Sequence, residues 1–461
     1  MSNPKLNSQP WQQGELITIT IEDLNHNGEG VGRCGGKVVF VPDTAIGDRI
    51  VARLVRIKTK YAQGKLQEII VPSPQRRTPR CFVADKCGGC QWQHLDYEEQ
   101  LQIKRNLVIQ TLQRLAGIAQ PPVAPVLRSP HDLGYRNKVT YPLARSTTGS
   151  VQAGYYRRGT HQLINLNQCP VQDPRLNPFL AQIKQDLEKR GWSIYNEQRH
   201  QGKLRHLALR IGRHTGEILL TLVSCDGHLP GIEEQAEIWL QRYPQLVGVC
   251  LNHNPQRSNA IWGAKTRCIA GKNYLEEHFA GLKFELRPET FFQVNTEAAE
   301  ALLEAIIPQL NLQGGEILLD AYCGIGTFTL PLATKVRQGI AIEVQSAAVE
   351  QARINAQLNG ISNVTFQTGA VEELMPQLQV IPDLVVLDPP RKGCPHQVIS
   401  TIKAMRPSQL LYISCKPATL ARDIKILCQD NCYQLISVQP ADFFPQTSHV
   451  ECAALLQLQP H

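Results

Sequence analysis

Cys415 stands in Ser414-Cys415-Lys416-Pro417, directly after the apolar run Gln409-Leu-Leu-Tyr-Ile413. Such a run reads as a buried strand, and the proline stops it, so the thiol falls at the strand's end rather than inside the sheet. A free cysteine ionises near pH 8.5, and adjacent Lys416 or a helix start favours the nucleophilic thiolate. A thiolate at a sheet edge suits one task in pyrimidine chemistry. Carbon 5 of uracil or cytosine is a poor nucleophile; addition of a thiolate at carbon 6 makes an enolate-like species whose carbon 5 attacks an electrophilic methyl group. The C5 proton must then go to a base before the cysteine leaves. His449 and Glu451, in Ser448-His449-Val450-Glu451-Cys452, stand near the start of the last apolar strand, and either can accept it.

A second group of residues suits a nucleoside cofactor. Ile317-Leu-Leu-Asp320 is a short apolar strand ending in a carboxylate, followed by Ala-Tyr322-Cys-Gly324-Ile-Gly326 and a helix. Glu343 ends the next strand, Gly339-Ile-Ala-Ile-Glu343, where an acidic side chain accepts hydrogen bonds from ribose hydroxyls. The third glycine of the dinucleotide fingerprint is missing, because position 329 is Thr. Without a pyrophosphate to cradle, S-adenosylmethionine fits better than NAD. Asp388-Pro-Pro-Arg-Lys-Gly393 follows a further strand, and its two prolines freeze the loop that carries the carboxylate. Loops of this kind occur in methyltransferases acting on bases. Cys323, inside the glycine turn, reads as packing.

A third group is a cysteine cluster. Cys81, Cys87 and Cys90 lie within ten residues, around Gly88-Gly89, and Cys169 in a polar turn before Pro170 supplies a fourth thiol. Four thiolates suit either zinc or an iron–sulfur cluster, and spacing does not choose. Cys225, Cys250, Cys268, Cys428 and Cys432 read as core residues.

The elements that must position these groups divide the chain into three. The 461 residues leave room for about three domains. Residues 10–71 hold short β-branched runs separated by glycine and asparagine turns, which predicts a small OB-like barrel. Arg53 to Tyr61 places cations at alternate positions, on one strand face. Pro72 to Pro79 reads as a linker. Residues 79–284 predict a mixed α+β region with a helix over about Tyr97–Leu115 and aromatics interleaved with cations, as in Tyr135-Arg-Asn-Lys138 and Tyr155-Tyr-Arg-Arg158, which suits RNA. Residues 285–461 alternate strands and helices, with each chemically interesting residue at a strand's carboxyl end, where open α/β sheets bind ligands.

Charge follows the same division. The net charge is +2 over residues 1–70, +11 over 71–285 and −5 over 286–461. A basic middle beside an acidic end places RNA affinity in the first two regions and methyl-donor binding in the third. The apolar runs are too short for a membrane span, and the polar start lacks a signal-peptide core, so a cytoplasmic protein is expected. Fourteen cysteines are then poorly explained as disulfides.

Taken together, these residues resemble the RNA uracil-5-methyltransferase family, and within it the 23S ribosomal RNA branch. Phe291-Phe-Gln-Val-Asn295, Asp320-Ala-Tyr-Cys-Gly-Ile-Gly326, Asp388-Pro-Pro-Arg-Lys-Gly393 and Ser414-Cys-Lys-Pro417 resemble its motifs in order. The resemblance implies a Rossmann-like class I methyltransferase domain behind a TRAM barrel and a central, cluster-bearing RNA-binding domain, in a monomer. It implies S-adenosylmethionine contacts from Gln293, Tyr322, Glu343 and Asp388, Cys415 as nucleophile, Glu451 as base, and Cys81, Cys87, Cys90 and Cys169 as ligands of a [4Fe-4S] cluster. Thr327 and Lys416 stand where Asn is frequent, and Gly369-Ala370 where Gly-Asp is frequent. Two other readings remain: an exocyclic amino methyltransferase, which needs no cysteine, and a non-catalytic RNA-binding scaffold. A radical enzyme is disfavoured, since its usual cysteine spacing is absent.

Overall fold

The computed structural model describes residues 11–460; the polar start and the last residue lie outside them. Strands β1 (Leu16–Leu24), β2 (Gly30–Cys34), β3 (Lys37–Val41), β4 (Arg49–Ile57) and β5 (Tyr61–Val71) close into a barrel in the order β1-β2-β3-β5-β4. Alternation explains it: Ile17, Ile19 and Ile21 of β1 point inward and the residues between them outward. The cationic segment is not one strand face. β4 ends at Ile57, a register shift between Leu54 and Arg56 turns Arg56 outward, and Lys58–Lys60 form the bend into β5. Arg53, Arg56, Lys58 and Lys60 are all exposed.

The barrel does not close its own core. Trp92, Leu95 and Ile103, from beyond the proline-rich segment, pack among its inward residues, and the Trp92 indole donates to the Gly28 carbonyl at 3.2 Å. The segment between is strapped down. The Arg76 guanidinium grips the Asp48 carboxylate at 2.7–3.0 Å. Burial would raise that carboxyl, but Arg76 and the Ser73 and Ala45 amides hold it below the usual range.

Helix α1 (Tyr97–Thr111), N-capped by Asp96, continues through a π-turn to Ala116 and ends at left-handed Gly117. A seven-stranded mixed sheet follows, built from β6 (Lys138–Arg145), β7 (Val151–Tyr156), β8 (Leu163–Asn165), β9 (Leu204–Ile211), β10 (Ile218–Ser224), β11 (Leu246–His253) and β12 (Lys265–Gly271). Helices α2 (Asn177–Lys189) and α3 (Ile232–Arg242) add Phe179, Leu180 and Trp239 to its core.

The hairpin β13 (Leu275–Phe279) and β14 (Leu282–Leu286) already belongs to the C-terminal core, where Phe279 and Phe284 pack edge to face with each other and Phe292 packs against both. After α4 (Thr296–Ile306) come β15 (Ile317–Asp320), α5 (Thr329–Ala333), β16 (Gln338–Glu343), α6 (Ser346–Leu358), β17 (Val364–Thr368), α7 (Val371–Leu374), β18 (Leu384–Leu387), α8 (His396–Met405), β19 (Gln409–Ser414), α9 (Pro417–Leu427), β20 (Tyr433–Ala441) and β21 (Glu451–Leu458). The sheet order is β17-β16-β15-β18-β19-β21-β20, parallel from β17 to β19, with β21 antiparallel to both its neighbours. Strands β15, β18 and β19 are buried on both faces, as parallel strands covered by helices must be. No helix among the described residues is long and apolar enough to cross a membrane.

Candidate active site

The sheet order puts the motifs side by side. Along one edge stand Glu343, Asp320, Asp388 and Cys415, at or just past the ends of β16, β15, β18 and β19. β21 runs the other way, so its first residue, Glu451, reaches the same edge. The crevice lies where β15 has β16 on one side and β18 on the other, the switch point of a doubly wound sheet.

The cofactor half is held by its own neighbours. Asp320 accepts from the Thr329 hydroxyl at 2.6 Å and the Tyr322 amide at 3.2 Å. Glu343 accepts from the Gly324 and Gln345 amides at 3.2 and 2.8 Å. Gly324 and Gly326 have positive φ, 55° and 89°, which lets the turn bend back onto Glu343. Burial pushes Asp320 up to about 6, against its hydrogen bonds, and pushes Asp388 up to about 7, with the Asp320 charge adding to it. Two carboxyls so crowded fit a cationic ligand such as a sulfonium or an ammonium group. Gln293 is buried, and the Asn137 side chain holds its carbonyl at 2.9 Å. Among the described residues its own side-chain amide has no partner. The Tyr322 hydroxyl lies buried beside the Cys394 thiol.

In the nucleophile half, Ser414 pairs with Cys452 at the end of the β19–β21 ladder, and Cys415 and Glu451, the residues just beyond that pair, lie close enough for the Glu451 charge to act on the thiol. Burial raises the Cys415 thiol, the Glu451 charge raises it further, and Arg391 pulls it down. Arg391, from the Asp-Pro-Pro loop, is therefore the cation that acts on the thiol. Lys416, chosen for being adjacent in sequence, instead caps α9. Glu451 is buried, its Oε2 has no partner, and burial and Asp388 hold its carboxyl well above the usual range against Arg391. His449 is exposed and stacks edge-on against Phe444.

The four cysteines also meet. Cys81, Cys87, Cys90 and Cys169 line one cavity of about 50 Å³, together with Gln93 and Arg136. That is several times the ~10–15 Å³ that one water needs. Among the described residues, no three His, Cys, Asp or Glu side chains stand close enough to hold a single metal ion. Burial raises the Cys87 and Cys169 thiols and pushes Cys90 up to about 12. Arg136 has no carboxylate partner among the described residues and lies beside Cys169 and Cys90. A donor set of four thiols with Arg136 and Arg158 beside it fits an anionic group larger than one ion. Of the cysteines read as core, Cys250 and Cys432 are buried, whereas Cys225, Cys268 and Cys428 are half-exposed.

Carboxylates on successive strand ends, a glycine turn and the order of the sheet define a class I S-adenosylmethionine-dependent methyltransferase. The chain belongs to the tRNA (uracil-5-)-methyltransferase family, whose profile matches residues 96–459; a TRAM domain profile matches residues 10–66. It is an S-adenosylmethionine-dependent RNA (uracil-5-)-methyltransferase. The chain is 65% identical to an uncharacterized RNA methyltransferase of Nostoc sp. (strain PCC 7120) over 97% of both chains. It is 57% identical to one of Synechocystis sp. (strain PCC 6803), over 99% of this chain and 98% of that one. Among solved structures it is similar to the Pyrococcus abyssi tRNA (uracil-54, C5)-methyltransferase in complex with S-adenosyl-L-homocysteine. The TM-score there is 0.76 at 26% identity, covering 95% of this chain and 100% of that one.

Proposed function

We propose that this enzyme methylates carbon 5 of a uridine in 23S ribosomal RNA through a covalent bond between Cys415 and carbon 6. The observation that carries the mechanism is the closeness of the Cys415 thiol to the Glu451 carboxyl and to Arg391, just past the last β19–β21 pair. Arg391 favours the thiolate, which adds to carbon 6; the C5=C6 electrons then take the methyl group at carbon 5, leaving S-adenosylhomocysteine. Glu451 accepts the C5 proton, the C–H electrons restore C5=C6, and the C6–S bond breaks to return the thiolate. Asp388, Glu343, Gln293 and Tyr322 form the methyl-donor side, Tyr322 through its ring. The buried carboxyl of Asp388 ionises as the donor's positive charge arrives.

Cys81, Cys87, Cys90 and Cys169 would hold a [4Fe-4S] cluster as its thiolate ligands, with Arg136 balancing its charge. A single zinc would need sulfurs about 3.8 Å apart, from the usual tetrahedral Zn–S length. The group would tie the loops at 81–90 and 169 together; proton and methyl transfer need no electron from it.

The family description and the Pyrococcus relative favour a second reading, a uridine in transfer RNA. One experiment separates the two. A 5-fluorouridine substrate cannot release its C5 substituent, so 23S and transfer RNA transcripts carrying it are incubated with the enzyme and methyl donor. A methylated adduct at Cys415 on 23S RNA is expected. An adduct on transfer RNA alone would overturn the substrate, and none on either with active enzyme would overturn the covalent route.

A further inference from the structure

Gln446 sits in the loop between β20 and β21, five residues before Glu451. It is buried and left-handed at φ 70°, a conformation that non-glycine residues adopt at a cost. Every polar atom that can hold it there is used. Its carbonyl accepts from the Gln91 and Trp92 amides, both at 3.0 Å, and its amide donates to the Gln100 side chain at 2.9 Å. Its side-chain oxygen accepts from Gln100 Nε2 at 3.1 Å, and its Nε2 donates to the Asp132 carbonyl at 3.1 Å. Gln91 and Trp92 directly follow Cys90, and Gln93 lines the cysteine cavity. Tyr135, packed on Cys90 and Cys169, donates to the Pro445 carbonyl at 3.1 Å.

From Gln446 the chain runs to Glu451 with little slack. Thr447 Oγ1 donates to the Phe444 carbonyl at 2.8 Å and accepts from the His449 amide at 3.2 Å, and Ser448 is tied to the His26 carbonyl at 2.9 Å. The β19–β21 ladder ends at Ser414 and Cys452, next to Cys415 and Glu451, and this loop leads directly into that end of β21.

We propose that Gln446 is the positioning residue through which the cysteine-bearing segment 90–100 holds the Glu451 carboxylate for removal of the C5 proton. This rests on Glu451 being the base. Gln446 touches neither substrate nor donor in this scheme; it acts through the start of β21.

The test compares Gln446→Ala, Gln446→Asn and Glu451→Gln in full-length enzyme on unmodified uridine RNA. It follows methyl transfer in a single turnover and, on denaturing gels, the release of the methylated covalent complex. Glu451→Gln should trap the complex, with release slowed about 10²–10⁴-fold. Gln446→Ala loses the side-chain bonds that hold the left-handed turn; it should slow release about tenfold, so that the complex accumulates, with methyl transfer within about threefold of the parent. Gln446→Asn, which tolerates positive φ and keeps an amide, should restore most of the release rate. Parental release in Gln446→Ala, with trapping by Glu451→Gln, would overturn the proposal and leave the base in place. Equal slowing of both steps would reduce Gln446 to support of the fold and also overturn it. No trapping by Glu451→Gln would remove the base reading itself.

Discussion

The two halves of the crevice are held in opposite ways. In the cofactor half, Asp320 is fixed from two and nine residues away and Glu343 from two and nineteen. In the nucleophile half, the loop before Glu451 is fixed from 310 residues away by Tyr135, 338 by Lys104, 346 by Gln100 and 422 by His26. The two strand-end carboxylates of the donor side are held within the C-terminal sheet, and only Gln293 there is held from outside it, by Asn137. The loop that leads to Glu451 is held by the barrel, the cysteine segment and the central region together. Damage outside the C-terminal region should therefore reach proton removal before it reaches donor binding.

The largest expected effect that sharpens this contrast is at Lys104. Its ammonium meets Asp442 at 2.6 Å and the Phe444 carbonyl at 3.1 Å, both charged groups fully buried. Lys104→Met strands a buried carboxylate, which costs about 3–5 kcal/mol. A lowered Tm and slowed turnover are expected, with donor affinity intact in the folded protein. Lys104→Met combined with Asp442→Asn, which keeps the acceptor for the Phe444 amide, should recover most of the stability. Loss of donor affinity in proportion to turnover would break the contrast.

A second test concerns pH. Asp320 and Asp388 are raised in the folded protein, to about 6 and about 7, from 3.8. The folded state therefore binds more protons than the unfolded chain between about pH 4 and 7. Their contribution to stability falls as pH rises through that window. A cationic donor reverses this by favouring the ionised forms. Donor affinity should rise with pH from 5 to about 7 and then level off, by up to about tenfold per unit where one proton is released. Calorimetry in buffers of different ionisation enthalpy reads that proton; a flat profile would show both carboxyls already ionised in the free enzyme.

The smallest effect is at the barrel surface. Each phosphate contact contributes about −0.7 to the log–log salt slope on single strands. Replacing Arg53, Arg56, Lys58 and Lys60 with Ala should flatten that slope by up to about 3, with donor affinity unchanged. An unchanged slope would take RNA contact away from this face. Substitution is a cleaner test than removing the barrel, because deletion would strip the cover from Trp92 and Leu95 and so disturb the segment that holds Gln446.

The cofactor half was legible in the sequence because its contacts are local. A buried strand ending in Asp, a glycine turn and an acidic strand end make a pattern whose geometry follows from a few adjacent residues, and Glu343 and Asp388 stand on the edge that pattern implies. Cys415 was legible for the same reason: a proline after an apolar run ends a strand. What failed was inference by adjacency. Lys416 neighbours Cys415 in the chain but stands at the N-cap of α9, while the cation that acts on the thiol, Arg391, arrives from the neighbouring strand's loop.

Sequence by itself determined the three textures, the strand-end chemistry and the membership of the four cysteines, because alternation, turn residues and residue type are properties of short segments. Only the tertiary structure decided that Glu451 faces Cys415, that Arg391 rather than Lys416 acts on the thiol, that Trp92 completes the barrel and that Gln446 is locked from beyond 300 residues away. An antiparallel final strand brings its first residue to an edge where every other strand brings its last. The buried amides and charges of a loop at the meeting of three regions must find partners wherever packing places them.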